Sequence, residues 1–589
     1  MKFLGNVLAT LIGLFVFFML LFFGLMIFGA IAGSGSDTVK VESNSVIELN
    51  LDNITLDYTG KYTDPWVTLF SNEAPIGFTD VLNALDAAKS DSKIKGVTLV
   101  NSSNSLGLAQ SKALRDKLVE FKKSGKFVVS YANYFTQREY YINSVADTIY
   151  VNPVGEIDFK GLASEVMFFK DIQEKTGIKM EVIRHGKYKS AVEPFLSSEM
   201  SPENREQILA LLNSAWETIA KDISESRKIP LDSVNQIAHN LSARTPEMAL
   251  NKKLVDKIGY EDEFHAGIKK ALQVEKDDDY NKISISDYAR NQSLSLSGGS
   301  SKNKIAIIYA QGEILGGKGD VNVIGEGAMR NALQEARTND KIKAVVLRID
   351  SPGGSALTSE LIWREIELTK KTKPVVVSMG NLAASGGYYI ACNASKIIAE
   401  PSTITGSIGV FGVLPNMTEF SKKIGINTSQ VKTHDNAMGY SPFQPIDEKF
   451  KSVTTESVEK IYTTFVNRVA SGRKMTYEQV DAIAQGRIWT GTEALKIGLV
   501  DQLGSLDTAI AEAAKLAKLK EFKTENFPEF DKTLMEFLND QNGIPFARSK
   551  ERMLKDELGE ENYQTLQQLK RATSRTGIQM LLPFEIRIQ

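Results

Sequence analysis

A single duplication constrains this 589-residue chain more than any other feature. The segment IKAVVLRIDSPGGS (342–355) falls on IKGVTLVNSSNSLG (94–107) without a gap, an offset of 342 − 94 = 248 residues. At the same offset GYYIAC meets REYYIN, so that Tyr388 and Tyr389 match Tyr140 and Tyr141. Farther on, EALKIGLVDQLG (493–504) matches MALNKKLVDKIG (248–259). A unit of this size repeated only twice is a duplicated domain, not a solenoid of short repeats. The two copies are mismatched where it matters. Ser385 in SMGNLAASGGYYIAC (378–392) lies opposite Gln137, and Lys189 in VIRHGKYKSAVEPF (182–195) lies opposite Met438 in VKTHDNAMGYSPF (431–443). Each copy lacks the other's polar residue, which points to one active site assembled from both.

Each copy alternates strand and helix. In the first, SVIELNLD (45–52), IKGVTLV (94–100) and KFVVSYA (126–132) read as strands, and TDVLNALDAAKS (79–90) and SKALRDKLVEFKKSG (111–125) as helices. Strands separated by helices imply parallel βαβ units, hence an α/β fold. The Ser/Gly-rich NQSLSLSGGSSKN reads as an inter-domain linker. The expected organisation is an anchor and spacer over 1–36, a first repeat over 45–290, a linker over 291–303, a second repeat over 304–515, and a helical extension with a closing strand over 516–589.

No charge occurs between Lys2 and Asp37, and LIGLFVFFMLLFFGLMIFGAIAG (11–33) is almost wholly apolar. About 20 such residues span the hydrocarbon layer as a helix. A cleaved signal peptide is the alternative, with Ala30-Ile31-Ala32 as a cleavage pattern, but the apolar run exceeds the usual h-region of about 7–15 residues. A retained single-pass anchor is therefore favoured, with Lys2 on the cytoplasmic side and the body exported.

Composition narrows the chemistry. With 70 basic against 72 acidic residues and no long basic run, the chain lacks the footprint of a nucleic-acid binder. One cysteine, Cys392, makes no intramolecular disulfide, and the four histidines (His185, His239, His265, His434) have no zinc-ligand spacing. No metal or other cofactor is expected. LGGKGD (315–320) lacks phosphate-loop spacing and reads as a loop.

In the second copy, the strand AVVLRID (344–350) runs into the glycine turn SPGGS, whose backbone amides suit an oxyanion, and then into a helix. The strand KPVVVSMG (373–380) leads to Ser385 at a strand-to-helix junction. Taken alone, Ser-Gly-Gly reads equally as a helix cap and a tight turn. A serine hydroxyl needs a neighbouring base, and with no His/Asp pair at recognisable spacing lysine leads. Burial would make it competent by disfavouring the ammonium form. Lys187 would share a face with Lys189 on an extended strand, so spacing alone does not choose between them. His185 aligns with His434 and reads as structural; Asp350 reads as a cap or turn former.

The motifs SPGGS, ASGGYYIA, PSTITGSIGV (401–410) and KYKSAVEPF resemble, in order and over nearly the whole chain, those of the signal peptide peptidase A family of serine peptidases (protease IV) in its long, duplicated, membrane-anchored form. The resemblance implies two tandem crotonase-like (Clp-protease-like) α/β domains behind an N-terminal transmembrane helix. It implies Ser385 as nucleophile, Lys189 as general base, Gly354 as an oxyanion-hole donor and Ser407 as the residue orienting the lysine. Hydrophobic peptides such as signal-peptide remnants are the implied substrates, a homotetramer the implied assembly, and the periplasmic face of a bacterial inner membrane the implied location. Two rival readings remain at this point, a crotonase-like acyl-CoA enzyme using the glycine turn without a nucleophile, and a catalytically silent membrane scaffold.

Overall fold

The computed structural model describes residues 2–33, 39–52, 54–62, 76–100, 105–296, 301–530 and 578–581. Expectations for 34–36, 297–300 and the helical stretch 531–574 fall outside these residues.

Each repeat builds its own sheet around the β-branched runs that the sequence pattern marks as strands. In the first, the strand order is Lys257–Ile258, Thr148–Ile157, Phe127–Phe135, Ile94–Val100, Ser45–Glu48 and Lys282–Ser284, all parallel. In the second, the matching central order is Val375–Ala384, Ile342–Ser351, Lys304–Gln311 and Lys523–Phe527, again parallel. Lys396–Ala399 and Ile404–Gly406 both pair with Val375–Ala384. Two separate apolar cores fill the repeats, one around Phe121, Tyr140 and Tyr288, the other around Leu347, Tyr388 and Phe465. The architecture is that of two tandem α/β units, with helices covering parallel sheets.

The duplication extends to individual contacts. The Tyr140 hydroxyl donates to the Leu254 carbonyl at 2.7 Å, and its counterpart Tyr388 donates to Leu499 at 2.8 Å. Arg227 pairs with Asp256 and Arg473 with Asp501, both at 2.8 Å. Each aspartate also accepts a strand amide, from Ile149 and Ile397 respectively, at 2.8 Å. Two long helices also match. Pro202–Arg227 and Glu448–Arg473 each run 26 residues and end on a left-handed lysine, Lys228 and Lys474.

The repeats are joined by a third sheet that neither copy builds alone. Lys179–His185 of the first repeat lies antiparallel to Val410–Asn416 of the second over seven residue pairs, from Lys179↔Asn416 to His185↔Val410. The same sheet holds Gly353–Ser355 and the C-terminal strand Ile578–Leu581. The long helices cross over as well. Gln207 of the first accepts the Ile488 amide at 3.3 Å, and Ser214 hydrogen-bonds Thr490 at 2.8 Å.

Some elements differ from the sequence pattern. The helix starting at Ile285 continues to Leu296, into the first part of the segment expected as linker. Lys523–Phe527 is a strand of the second sheet, and Glu529–Phe530, expected to open a helix, pairs with Lys61–Tyr62. Pairing of this kind leaves no local periodicity to read. The N-terminal helix spans Lys2–Gly33, about 48 Å at 1.5 Å per residue, and its central Gly5–Gly24 stretch is wholly unburied within the protein. It is long and apolar enough to cross a membrane.

Candidate active site

The strand Val375–Ala384 ends in a bulge and delivers Ser385 to the start of the helix Gly386–Ala391. Ser385 has φ +56° and ψ −114°, a conformation costly for a residue with a Cβ, and its side chain caps nothing. Its amide donates to the Gly406 carbonyl at 2.8 Å and its carbonyl accepts the Tyr389 amide at 2.9 Å, so the strain is held by backbone on both sides. The hydroxyl is free to point away from the helix it precedes.

It points at a lysine from the other repeat. Lys189 Nζ lies 2.8 Å from Ser385 Oγ, 3.0 Å from Ser407 Oγ and 3.0 Å from the Ser407 carbonyl. Both Lys189 and Ser385 are wholly buried. Burial alone drives the Lys189 pKa well below the ordinary lysine value, since nothing else opposes loss of its proton. A neutral amine has two N–H donors and one lone pair. The donors match the Ser407 oxygens, which leaves the lone pair for the Ser385 hydroxyl proton.

Room for this lysine is made by glycine. A Cβ on Gly486 would stand 2.6 Å from Lys189 Cα, and Gly486 itself has φ +83°. The chain turns immediately after His185, so 187–189 is not extended strand and the two lysines do not share a face. Lys187 is exposed beside the Tyr188 ring. His185 stacks on Tyr462 with ring centroids 3.7 Å apart and meets Glu459 at 2.8 Å, away from the serine. His434 is exposed, at 3.1 Å from the Thr433 hydroxyl.

The glycine turn closes the other side. Gly353 and Gly354 have φ of +100° and +152°, and a Cβ on Gly354 would stand 2.0 Å from the Ile314 carbonyl oxygen, so no other residue fits. The turn is a short strand, Gly353–Ser355, rather than a loop. It faces the residue after the serine: a Cβ on Gly386 would stand 3.2 Å from the Gly354 amide nitrogen, and one on Gly353 would stand 2.7 Å from the Gly386 amide nitrogen. The Gly386 amide thus stands beside that of Gly354; the sequence reading did not single it out, although its position directly after Ser385 fixes it.

Between this turn and the strand Val410–Asn416 lies the tail strand Ile578–Leu581. Gly354 pairs with Met580, Ser355 with Gln579, and Phe411 with Gln579, all antiparallel. Met580 is fully buried. The slot beside Ser385 is therefore shaped for an extended backbone with partners on both edges.

The mismatched counterparts are elsewhere. Gln137 is buried and occupied: its Oε1 accepts the Lys160 and Gly161 amides at 2.9 and 2.8 Å, and its amide donates to the Gly161 carbonyl at 2.8 Å. Met438 is largely exposed.

Comparison with known proteins finds related sequence in both halves. The model of peptidase family S49 matches residues 120–275 and again 367–520, once in each repeat. The chain is 33% identical over 564 residues to Protease 4 of Haemophilus influenzae, covering 91% of each. It is 36% identical over 476 residues to Protease 4 of Salmonella typhi, covering 78% of this chain and 75% of that one. It is 34% identical over 437 residues to the chloroplastic serine protease SPPA of Arabidopsis thaliana, covering 73% and 64%.

Proposed function

The chain belongs to peptidase family S49 and is a serine protease, and from that premise we propose that it cleaves hydrophobic peptides through an acyl-enzyme formed on Ser385, with Lys189 as base. The observation that carries the reading is the 2.8 Å approach of Lys189 Nζ to Ser385 Oγ inside a fully buried pocket. Ser385 Oγ attacks the peptide carbonyl carbon and its proton passes to the neutral Nζ. Negative charge gathers on the carbonyl oxygen, where the Gly354 and Gly386 amides would donate. The Lys189 ammonium then protonates the departing amine, and a water deprotonated by the regenerated amine hydrolyses the acyl-enzyme. Ser407 holds the lysine through two contacts and aims its lone pair at the serine.

The slot occupied by Ile578–Leu581 supports an extended substrate, since a peptide on this path hydrogen-bonds Gly353–Ser355 on one edge and Val410–Asn416 on the other once it displaces the tail. The apolar N-terminal helix supports single-pass anchoring in a bacterial inner membrane with the body on the periplasmic side, where signal-peptide remnants lie within reach. A homotetramer is proposed from the family resemblance. The test is to treat the full-length protein in detergent with a serine-directed phosphonylating probe and a library of hydrophobic peptides. Labelling of Ser385 together with cleavage that disappears in Ser385→Ala is expected; cleavage that persists in that variant overturns the assignment.

A further inference from the structure

The strand that delivers Ser385 does not run evenly. Ile349 pairs with Met379 and Ser351 with Ala383, so that Asp350 alone opposes Gly380, Asn381 and Leu382. Such a bulge bends a strand and re-aims the residues beyond it. The Asp350 carboxylate fills the gap. One oxygen accepts the Leu382 amide at 2.9 Å and the other accepts the Asn381 side-chain amide at 3.0 Å. A Cβ on Gly380 would stand 3.1 Å from the Asp350 side chain, so the bulge and the carboxylate are closely fitted.

Asp350 sits four residues before Gly354, and Asn381 four before Ser385. The carboxylate therefore pins together the two arms that end in the oxyanion turn and the serine. Asn381 carries the link onward. Its Oδ1 accepts the Gln110 amide, at the start of helix Leu108–Lys123 of the first repeat, at 3.1 Å. The Gln110 side chain donates to Asp57 at 2.8 Å, Asp57 accepts from Arg348 at 2.6 Å, and Arg348 returns to Ser378 and the Met379 carbonyl at 2.9 and 3.1 Å. Asp57, Gln110 and Arg348 are buried. The ring opens and closes on the same strand of the second repeat and passes through two residues of the first.

A buried ion pair with its hydrogen bonds can serve folding alone. Two observations separate this one from such a role. At the repeat offset, Arg348 and Asp350 correspond to Val100 and Ser102, so the copy without the serine has neither residue. The ring also ends on the bulge rather than on the core. We propose that Asp350 is a positioning residue for Ser385: it fixes the bulge through Leu382 and Asn381, and because Asn381 completes its bonding on the Gln110 amide, the serine is aligned when the first repeat is docked. This rests on the peptidase reading given above. The same docking brings Lys189 to the site, so nucleophile geometry and base arrive together. Burial and the neighbouring Asp57 carboxylate push the Asp350 acid above the usual aspartate range, and the two donors it meets, the Leu382 amide and the Asn381 side-chain amide, both match a carboxylate.

The test is an exchange in the full-length protein. In Asp350→Asn the new amide keeps an acceptor for Leu382 but sets a donor against the Asn381 donor; if Asn381 turns over, it sets a donor against Gln110. In the double variant Asp350→Asn/Asn381→Asp every donor again meets an acceptor. For Asp350→Asn the rate of Ser385 phosphonylation and kcat for peptide cleavage are expected to fall about 10–100-fold with KM within about twofold, since a misaligned group costs this much when binding is untouched. The double variant is expected to recover to within about threefold of wild type, including where the single variant folds poorly. A single variant that reacts at the wild-type rate, or a double variant no better than the single in folding or reaction, overturns the proposal. If wild-type Ser385 itself resists the probe, the peptidase reading falls first and takes this inference with it; a reactive wild type with an indifferent Asp350→Asn removes this inference alone.

Discussion

The corner after the third long strand is built twice in this molecule, and only one version is, on the proposed reading, reactive. In the first repeat Thr136 caps the helix Gln137–Asn143, its hydroxyl accepting the Glu139 amide at 3.2 Å, and Gln137 sits inside the first turn. In the second, Ser385 takes the cap position at φ +56° without capping anything. Three residues later the copies agree again, with Tyr140 and Tyr388 donating to matching carbonyls. A catalytic corner and an ordinary one thus differ in whether the polar side chain at the junction satisfies the local backbone or is withheld from it. In the first copy Gln137 ties down residues 160–161; in the second the corresponding side chain is kept for a partner from the other repeat.

The largest test of this contrast is at the shared site. Ser385→Ala and Lys189→Ala should each lower kcat/KM by about 10³-fold or more while circular dichroism stays that of the wild type, because loss of either nucleophile or base abolishes the unit. Comparable activity in either would mean that the two corners do not differ in function. The pH profile comes next. Only the neutral lysine accepts the serine proton, and burial has lowered its pKa, so cleavage should rise as pH increases through a value well below 10.5 and plateau before ordinary lysines deprotonate. A rate flat from pH 5 to 10 contradicts a lysine base.

The quiet corner is probed by Gln137→Ala. It should destabilise the protein by about 1–3 kcal/mol in urea melts through the orphaned Lys160 and Gly161 amides, with kcat/KM changed less than about threefold. At exposed Met438, the counterpart of Lys189, alanine should stay within about 0.5 kcal/mol of wild type. A conditional effect, present at one pH and absent at another, concerns Glu400, matched in the first copy by neutral Asn152. Burial raises the Glu400 pKa to about 7, so the folded state resists its ionisation, and the resulting cost grows as pH climbs from 4.5 to 7 and is constant above. Glu400→Gln should therefore raise the melting temperature at pH 8, by the equivalent of about 1–2 kcal/mol, and leave it unchanged at pH 4. An equal gain at both values would show that the carboxyl's charge is irrelevant there.

The strands and helices of both repeats were readable because β-branched runs and amphipathic periods are local. Ser385, Lys189, Gly354 and Ser407 were singled out by motif resemblance, with the copy-to-copy mismatch as independent support for the first two, and Lys189 meets Ser385 and Ser407 at 2.8 and 3.0 Å. The choice between Lys187 and Lys189 was not readable from spacing, since it depends on a turn after His185 that is imposed by contact with Gln485 and Gly486 of the other repeat. Asp350 looked like a capping residue for a similar reason: its partners lie 31 and 32 residues away, and the ring they belong to reaches back to Asp57. The placement of Ile578–Leu581 beside Gly354 is likewise a long-range pairing with no mark in its own composition.

The seam between Lys179–His185 and Val410–Asn416 is made of main chain. Hydrogen bonds between backbones do not depend on side-chain identity, so substitutions at its unburied positions, unlike those at buried Ile183, Val410, Phe411 and Val413, can accumulate across generations with little effect on where Lys189 arrives. Insertions and deletions are different. One residue gained or lost in either strand shifts the register by about 3.3 Å and turns each subsequent side chain to the opposite face. Lineages descended from this gene should therefore drift in spelling at the unburied positions of both strands while keeping their length fixed, and the spacing from Lys179 to Lys189 should be inherited more faithfully than those letters.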